Sequence, residues 1–320
     1  MKRVSNNQHS RHGFTIIELL TVMSIIIILI SLLAPSLNRV RRYSMDVKQK
    51  VQFHSIAVAL DLFNSEFDGY PDSNATDDQG QNYCGAMKLT EAMVGQDLKG
   101  FNPASRFERS GFGNATPTPT MPYPTTLNYP DAVTYNENIR SRKMYLQLEN
   151  ANAYQIKDIY DATAGGFSNY HSFDPNTYVL CDSYNRVTNK TTGKKMGMPI
   201  LYYKADSTKL GHPSPGDSPA TMRSYNSSGV YIYNFLDNQA LIDMGMPWIA
   251  NFVHPLASGG VPIEGGPDLS GVYPQKFYDI TRDPKVSTHD RPVRADSYIL
   301  MSAGFDGEYG TRDDIYNFGD

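Results

Sequence analysis

From Phe14 to Ala34 the chain runs for 21 mostly apolar residues, interrupted within the run by Glu18, Thr21, Ser24 and Ser31. As a helix this stretch extends roughly 30 Å at about 1.5 Å per residue, enough to cross the hydrocarbon core of a bilayer. Residues 1–13 are short, basic and polar. A secretory signal peptide places its small-residue cleavage site after the apolar core, whereas here the only candidate, Gly13, precedes it. On the residues alone this is an uncleaved signal anchor. Lys2, Arg3 and Arg11 precede the span and Arg39, Arg41 and Arg42 follow it, so the positive-inside count is a tie. A carboxylate in such a segment is costly, about 2.5–3.5 kcal/mol at mid-span and less near the interface. Glu18 therefore either reaches the headgroup region or meets a compensating positive charge.

Pro35 ends the apolar run, and a bend or loosened turn is expected there. The helical pattern then resumes. Val40, Tyr43, Val47, Val51, Val58 and Leu62 recur at helical spacing, and a neighbouring row of Phe53, Ile56, Leu60, Phe63 and Phe67 widens the apolar face. Arg39, Arg42, Lys48, Gln49 and Gln52 fall on the polar side. Asp68-Gly69-Tyr70-Pro71 stops the helix, with Gly69 as C-terminal cap and Pro71 forbidding continuation.

With 320 residues and 40% hydrophobic content, one large or two small globular domains fit behind this helix. The formal net charge of −4 and the lack of Lys/Arg clusters beyond Lys194-Lys195 argue against a nucleic-acid partner. The 22 tyrosines, 25 glycines and 20 prolines predict strands and turns. Strands are expected at Tyr178–Tyr184, Pro199–Ala205, Gly229–Leu236 and Ser297–Ser302, and a short helix over Ala86–Leu98. The acidic segment Asp72–Asn82, the proline-rich Ala115–Pro130 and Gly211–Pro219 read as loops. The resulting fold class is α+β: one long N-terminal helix, transmembrane then amphipathic, packed on an antiparallel sheet with long loops. Cys84 and Cys181 have no CxxC spacing, which leaves a disulfide between them or two buried free thiols. No catalytic motif emerges. His54, His171, His212, His254 and His289 are dispersed, with His54 reading as structural and His212 and His254 as loop positions before prolines. The chain is not read as an enzyme.

The order glycine, aromatic, apolar pair, glutamate and apolar span, Gly13-Phe14-Thr15-Ile16-Ile17-Glu18 onward, resembles the N-terminal signature of type IV pilins and of type II secretion pseudopilins. The resemblance implies that a prepilin peptidase cuts after Gly13 on the cytoplasmic side and methylates the new amine of Phe14. It breaks the topology tie and implies a single-pass inner-membrane protein with its C-terminal domain in the periplasm, later drawn into a filament. The implied divisions are a leader over 1–13, a transmembrane helix over 14–35, an amphipathic continuation over 36–70 and a periplasmic or extracellular α+β domain over 71–320. Assembly would pair the Phe14 amine of one subunit with Glu18 of the next, because misregister leaves two charges unpaired in an apolar environment. Implied partners are the chain itself and sibling pseudopilins, the prepilin peptidase, an assembly platform and the inner membrane.

The segment Ser302 to Ile315 is similar to the acidic C-terminal loop of major pseudopilins, where calcium stabilises the fold. Asp306, Asp313 and Asp314, together with Ala303, form the candidate calcium set, suited to a cation that takes six to eight oxygens. The spacing excludes an EF-hand, and without the resemblance a solvated acidic turn is the simpler reading. The two resemblances cover about the first 70 and last 25 residues, and the chain is longer than the usual major pseudopilin. The region 72–296 leaves open a different function, a membrane-anchored binding module that recognises a polysaccharide or a secreted protein, for which exposed tyrosines would suit sugar stacking.

Overall fold

The computed structural model describes residues 15–109, 122–123, 132–160, 173–214, 217, 229–249, 252–257, 275–286 and 288–319. Gly13, Phe14, His171 and most of the proline-rich segment lie outside these residues. Two compact units emerge, residues 1–44 and 45–320.

Helix α1 runs from Ile16 to Phe67, 52 residues, and is unbroken across position 35. It is long and apolar enough to cross a membrane, and its most apolar window is wholly unburied. Its end differs in detail from the expectation. Asp68, not Gly69, adopts the left-handed backbone, with φ of 57°. A short polar residue tolerates that conformation.

Past Met45, α1 packs into the second unit along one row only. Phe53, Ile56, Leu60 and Phe63 are buried. The other row of the expected apolar face, Val40, Tyr43, Val47, Val51, Val58 and Leu62, is exposed. Gln49 and Gln52, expected on the polar side, are buried instead. The Gln49 carbonyl accepts from the Ser183 N–H at 2.8 Å, and the Gln52 amide donates to the Cys181 carbonyl at 2.9 Å. The helix thus turns two amides toward the backbone of the Cys181–Ser183 stretch, and the valine row faces outward.

Helix α2, Gly85–Val94, is buried over its whole length. Gly85 is required by close approach, because a Cβ there would sit 2.2 Å from the Tyr202 carbonyl oxygen. The Asn238 side chain clamps the same place, accepting from the Ala86 N–H and donating to the Tyr202 carbonyl.

Among the described residues, three small antiparallel sheets follow. Strand β1, Ala153–Gln155, pairs with β2, Tyr178–Leu180. Strands β3, Val187–Thr188, and β4, Lys195–Met196, form a hairpin. The principal sheet has β6, Tyr298–Ser302, between β5, Leu201–Lys204, and β7, Ile315–Tyr316. Its register sets Leu201 opposite Met301 and Ser302 opposite Ile315. Both of its faces are covered. Tyr202, Tyr298 and Leu300 join the core with α1, whereas Leu201, Tyr203, Ile299 and Met301 join a second core built from Tyr233, Phe277 and Tyr278. Side chains alternate across a strand, so burial on both sides gives the nearly continuous apolar run that marked β5 and β6 in the sequence.

The α+β class with a long N-terminal helix and antiparallel sheets is observed. Gly229–Leu236 does not form the expected strand. Tyr231 makes a single bridge to Gly211, and Asn234 accepts the Leu236 N–H to begin a 3-10 turn over Phe235–Asn238. Of the two cysteine alternatives, the structure has the free buried thiols. Cys84 and Cys181 share one apolar core, where burial pushes Cys84 up to about 11 and raises Cys181 further.

Candidate functional site

Glu18 stands in the first turn of α1. Its Oε2 accepts the Thr15 N–H at 2.9 Å and the Thr15 hydroxyl at 2.7 Å, while the Glu18 N–H donates to the Thr15 hydroxyl oxygen. This is a capping box, in which residues three apart satisfy each other's orphan helix-terminal donors. The Thr-x-x-Glu spacing is the sequence signal of this cap. Within one chain the carboxylate therefore has a local partner, and it is held at the helix tip.

Below it the polar interruptions of the span are satisfied internally. Thr21, Ser24 and Ser31 donate their hydroxyls to the carbonyls of Glu18, Leu20 and Ile28. Such back-bonding lets hydroxyl residues sit in an apolar segment without unpaired donors. Among the described side chains of the segment, the large apolar ones, from Ile16 and Ile17 through Ile30 and Leu33 to Leu37, are exposed in the single chain. The surface this creates is far from the scattered single hydrophobes normal on a soluble protein. The helix is built to be covered by something else.

At the other end of the chain, the expected calcium set is a self-satisfied loop. Asp313 Oδ2 accepts the Asp306 N–H, Asp306 Oδ1 accepts the Glu308 N–H, and the Thr311 hydroxyl donates to Asp313 Oδ1. Asp314 is committed to the Gly310 N–H at 2.7 Å and the Tyr316 hydroxyl at 2.9 Å. The Ala303 carbonyl accepts the Gly307 N–H at 3.2 Å. Burial pushes Asp314 up to about 7, and burial with the neighbouring Asp313 carboxylate raises Asp306. Among the described residues no three His, Cys, Asp or Glu side chains converge as a group that could hold a metal ion. As arranged, carboxylate oxygens of Asp306, Asp313 and Asp314 close the loop through hydrogen bonds.

The loop is instead tied to the core. Asp182, fully buried, accepts from the Ser302 hydroxyl and from the N–H groups of Tyr184 and Met198, and burial pushes it up to about 7. The Tyr309 N–H donates to Nδ1 of His254, and the Leu256 N–H to the Tyr309 carbonyl. His254 and His212 are buried and pushed down to about 4, so both are neutral structural residues.

No curated protein and no solved structure matches the chain. One family model does, over Gly13, the capping box and the apolar run Phe14–Ala34: residues 8–34 match the prokaryotic N-terminal methylation motif, the prepilin signal of type IV pilin-like proteins.

Proposed function

We propose that this chain is a structural subunit of a type II secretion pseudopilus or a related type IV pilus-like filament. The prepilin peptidase cuts it after Gly13, and Phe14–Ala34 holds it in the inner membrane until assembly. The observation that carries this reading is the uncovered apolar surface of α1 headed by the methylation motif. Lipid covers that surface in the stored subunit, and the helices of neighbouring copies or sibling pseudopilins cover it in the filament. The exposed valine row extends the same logic beyond the span, supplying contact area for a neighbour without taking part in the subunit's own core.

Glu18 sets the stagger. In the free subunit it caps its own helix through Thr15. In the filament it also faces the Phe14 amine of an adjacent subunit, and a subunit in the wrong register leaves buried charges unpaired. An assembly platform is the implied partner that lifts subunits from the membrane. Glu18→Ala should leave cutting intact but abolish or sharply reduce filament formation, read by shearing and immunoblotting of processed subunit. Normal filaments from that variant would overturn the reading.

A further inference from the structure

Just past the apolar run, α1 carries Arg39, Arg41 and Arg42, three arginines within four residues, and then Tyr43. All four are exposed, Tyr43 by 71%. None of the ion pairs among the described residues engages Arg39 or Arg41. The chain as a whole is acidic, with a formal net charge of −4, so this basic cluster is not a sample of its general surface. Its depth is set by the helix. From Ile16 to Leu37 α1 rises roughly 32 Å at about 1.5 Å per residue, close to the roughly 30 Å of bilayer hydrocarbon. The arginines then stand about 3–8 Å beyond Leu37, which is the depth of the headgroup layer, about 5–8 Å on each side. Tyrosine, with an apolar ring and a polar tip, belongs to the same interface.

The way the charges are spread narrows the partner. At about 100° per residue, Arg41, Arg42, Arg39 and Tyr43 cover roughly 200° of the helix circumference. A partner helix or strand would be met by one stripe at i, i+3 and i+4, whereas a headgroup layer surrounds the helix and suits a spread of more than half its girth. The placement also runs against the usual bias. Removal of residues 1–13 takes Lys2, Arg3 and Arg11 with it, and between Phe14 and Ser44 only these three arginines remain as Lys or Arg, on the side where the positive-inside rule disfavours them. A charge excess kept on that side calls for something to bind. Guanidinium groups meet phosphate oxygens through paired N–H donors, and a basic cluster beside a span is drawn to an anionic surface. We propose that Arg39, Arg41 and Arg42 form a collar that binds the phosphates of anionic phospholipids in the leaflet through which α1 leaves the membrane. The collar retains the stored subunit, and its headgroup contacts must be broken when the helix is extracted. This inference rests on the membrane-stored subunit proposed above and not on filament assembly. All its residues lie within 1–44.

The test reconstitutes the full chain, with Leu37→Trp as reporter and Trp248→Phe to silence the single native tryptophan, in vesicles of phosphatidylcholine and phosphatidylglycerol. Bromine on the acyl chains of one lipid or the other, at equal mole fraction, quenches the reporter according to how often that lipid adjoins it. Phosphatidylglycerol should be preferred by about fivefold or more, the gain of even one arginine near an anionic surface. Arg39→Gln, Arg41→Gln and Arg42→Gln together should abolish the preference. Should the reporter chain fail to reconstitute, native mass spectrometry of the unaltered chain and the triple glutamine variant, released from micelles of the same two lipids, decides by the same criterion. Gly13→Ala, which blocks cutting, should show the same preference at the reporter, so failure of the filament role and failure of this proposal are separable. Equal quenching by the two lipids, or loss of the preference to inorganic phosphate at constant ionic strength, would overturn the proposal. So would a glutamine variant that keeps the preference yet no longer assembles, which would assign the arginines to carboxylates of a neighbouring subunit.

Discussion

Two leucines two positions apart on α1 give the sharpest separation between the subunit's own core and its outward face. Leu60 is fully buried, in a cluster with Leu89 and Met93 of α2 and Tyr202 and Leu300 of the sheet. Leu62 is 51% exposed. Leu60→Ala removes three buried carbons, about 2.4 kcal/mol at about 0.8 kcal/mol each. The cavity adds on the order of 1 kcal/mol, because α2 is buried along its whole length and cannot collapse into the space. The expected cost is about 3–4 kcal/mol, a large share of an ordinary domain's stability. Leu62→Ala should stay within about 0.5 kcal/mol, its lost partial burial offset by alanine's better helix propensity. Urea unfolding of the purified chain in detergent, followed by Trp248 fluorescence, measures both. In filament assembly the order should reverse in kind, with Leu62→Ala folding normally yet assembling poorly. Equal costs for the two variants, or a cost below about 1 kcal/mol for Leu60→Ala, would refute the packing assigned to α1.

The buried titratable groups predict an acid-favoured stability. Asp182 and Asp314 are raised to about 7 and Asp237 higher, so each contributes stability that is full below about pH 4 and is lost as pH rises through its folded value. His212 and His254, lowered to about 4, contribute stability present above about pH 6.5 and lost on acidification toward 4. Between pH 8.5 and 6.5 only the acids act, and Tm should climb as pH falls. Below that, these acids, joined by Asp243, which burial also raises to about 7, outnumber the two histidines and leave a shallower rise. A Tm that falls steadily from pH 8.5 to 6 would contradict the burial assigned to these carboxyls. The self-bonded C-terminal loop predicts that millimolar calcium or a chelator leaves the unfolding midpoint unchanged. A calcium-dependent rise would instead mean that Asp306, Asp313 and Asp314 rearrange into a cation site.

Much of the architecture was legible because it rests on strong local signals. The apolar run of α1, its stop before Pro71, and the tyrosine-rich strands β5 and β6 announce themselves through length, breakers and burial on both faces. The rest depends on partners far along the chain. Gln49 is polar by type, yet it is buried because Ser183, 134 residues on, needs an acceptor for its N–H. The valine row looks identical to a core row until the sheet takes the adjacent one. Gly229–Leu236 has strand composition, but Asn234 captures a backbone N–H and turns the chain into a 3-10 helix. The capping box was present in the letters, as the Thr-x-x-Glu spacing of Thr15 and Glu18. The Ser73–Asp237 hydrogen bond left no trace in the sequence, since 164 positions separate the pair and only tertiary folding joins them.

The proposed function rests on the N-terminal segment being a processing signal, so that the apolar helix begins the mature subunit. Intact-mass and N-terminal peptide mass spectrometry of the chain from a cell with prepilin peptidase tests this directly. The account predicts a mature protein that begins at Phe14, lacks residues 1–13 and carries one methyl group on its new amine. A full-length chain that retains Met1 to Gly13 in the presence of active peptidase would contradict it.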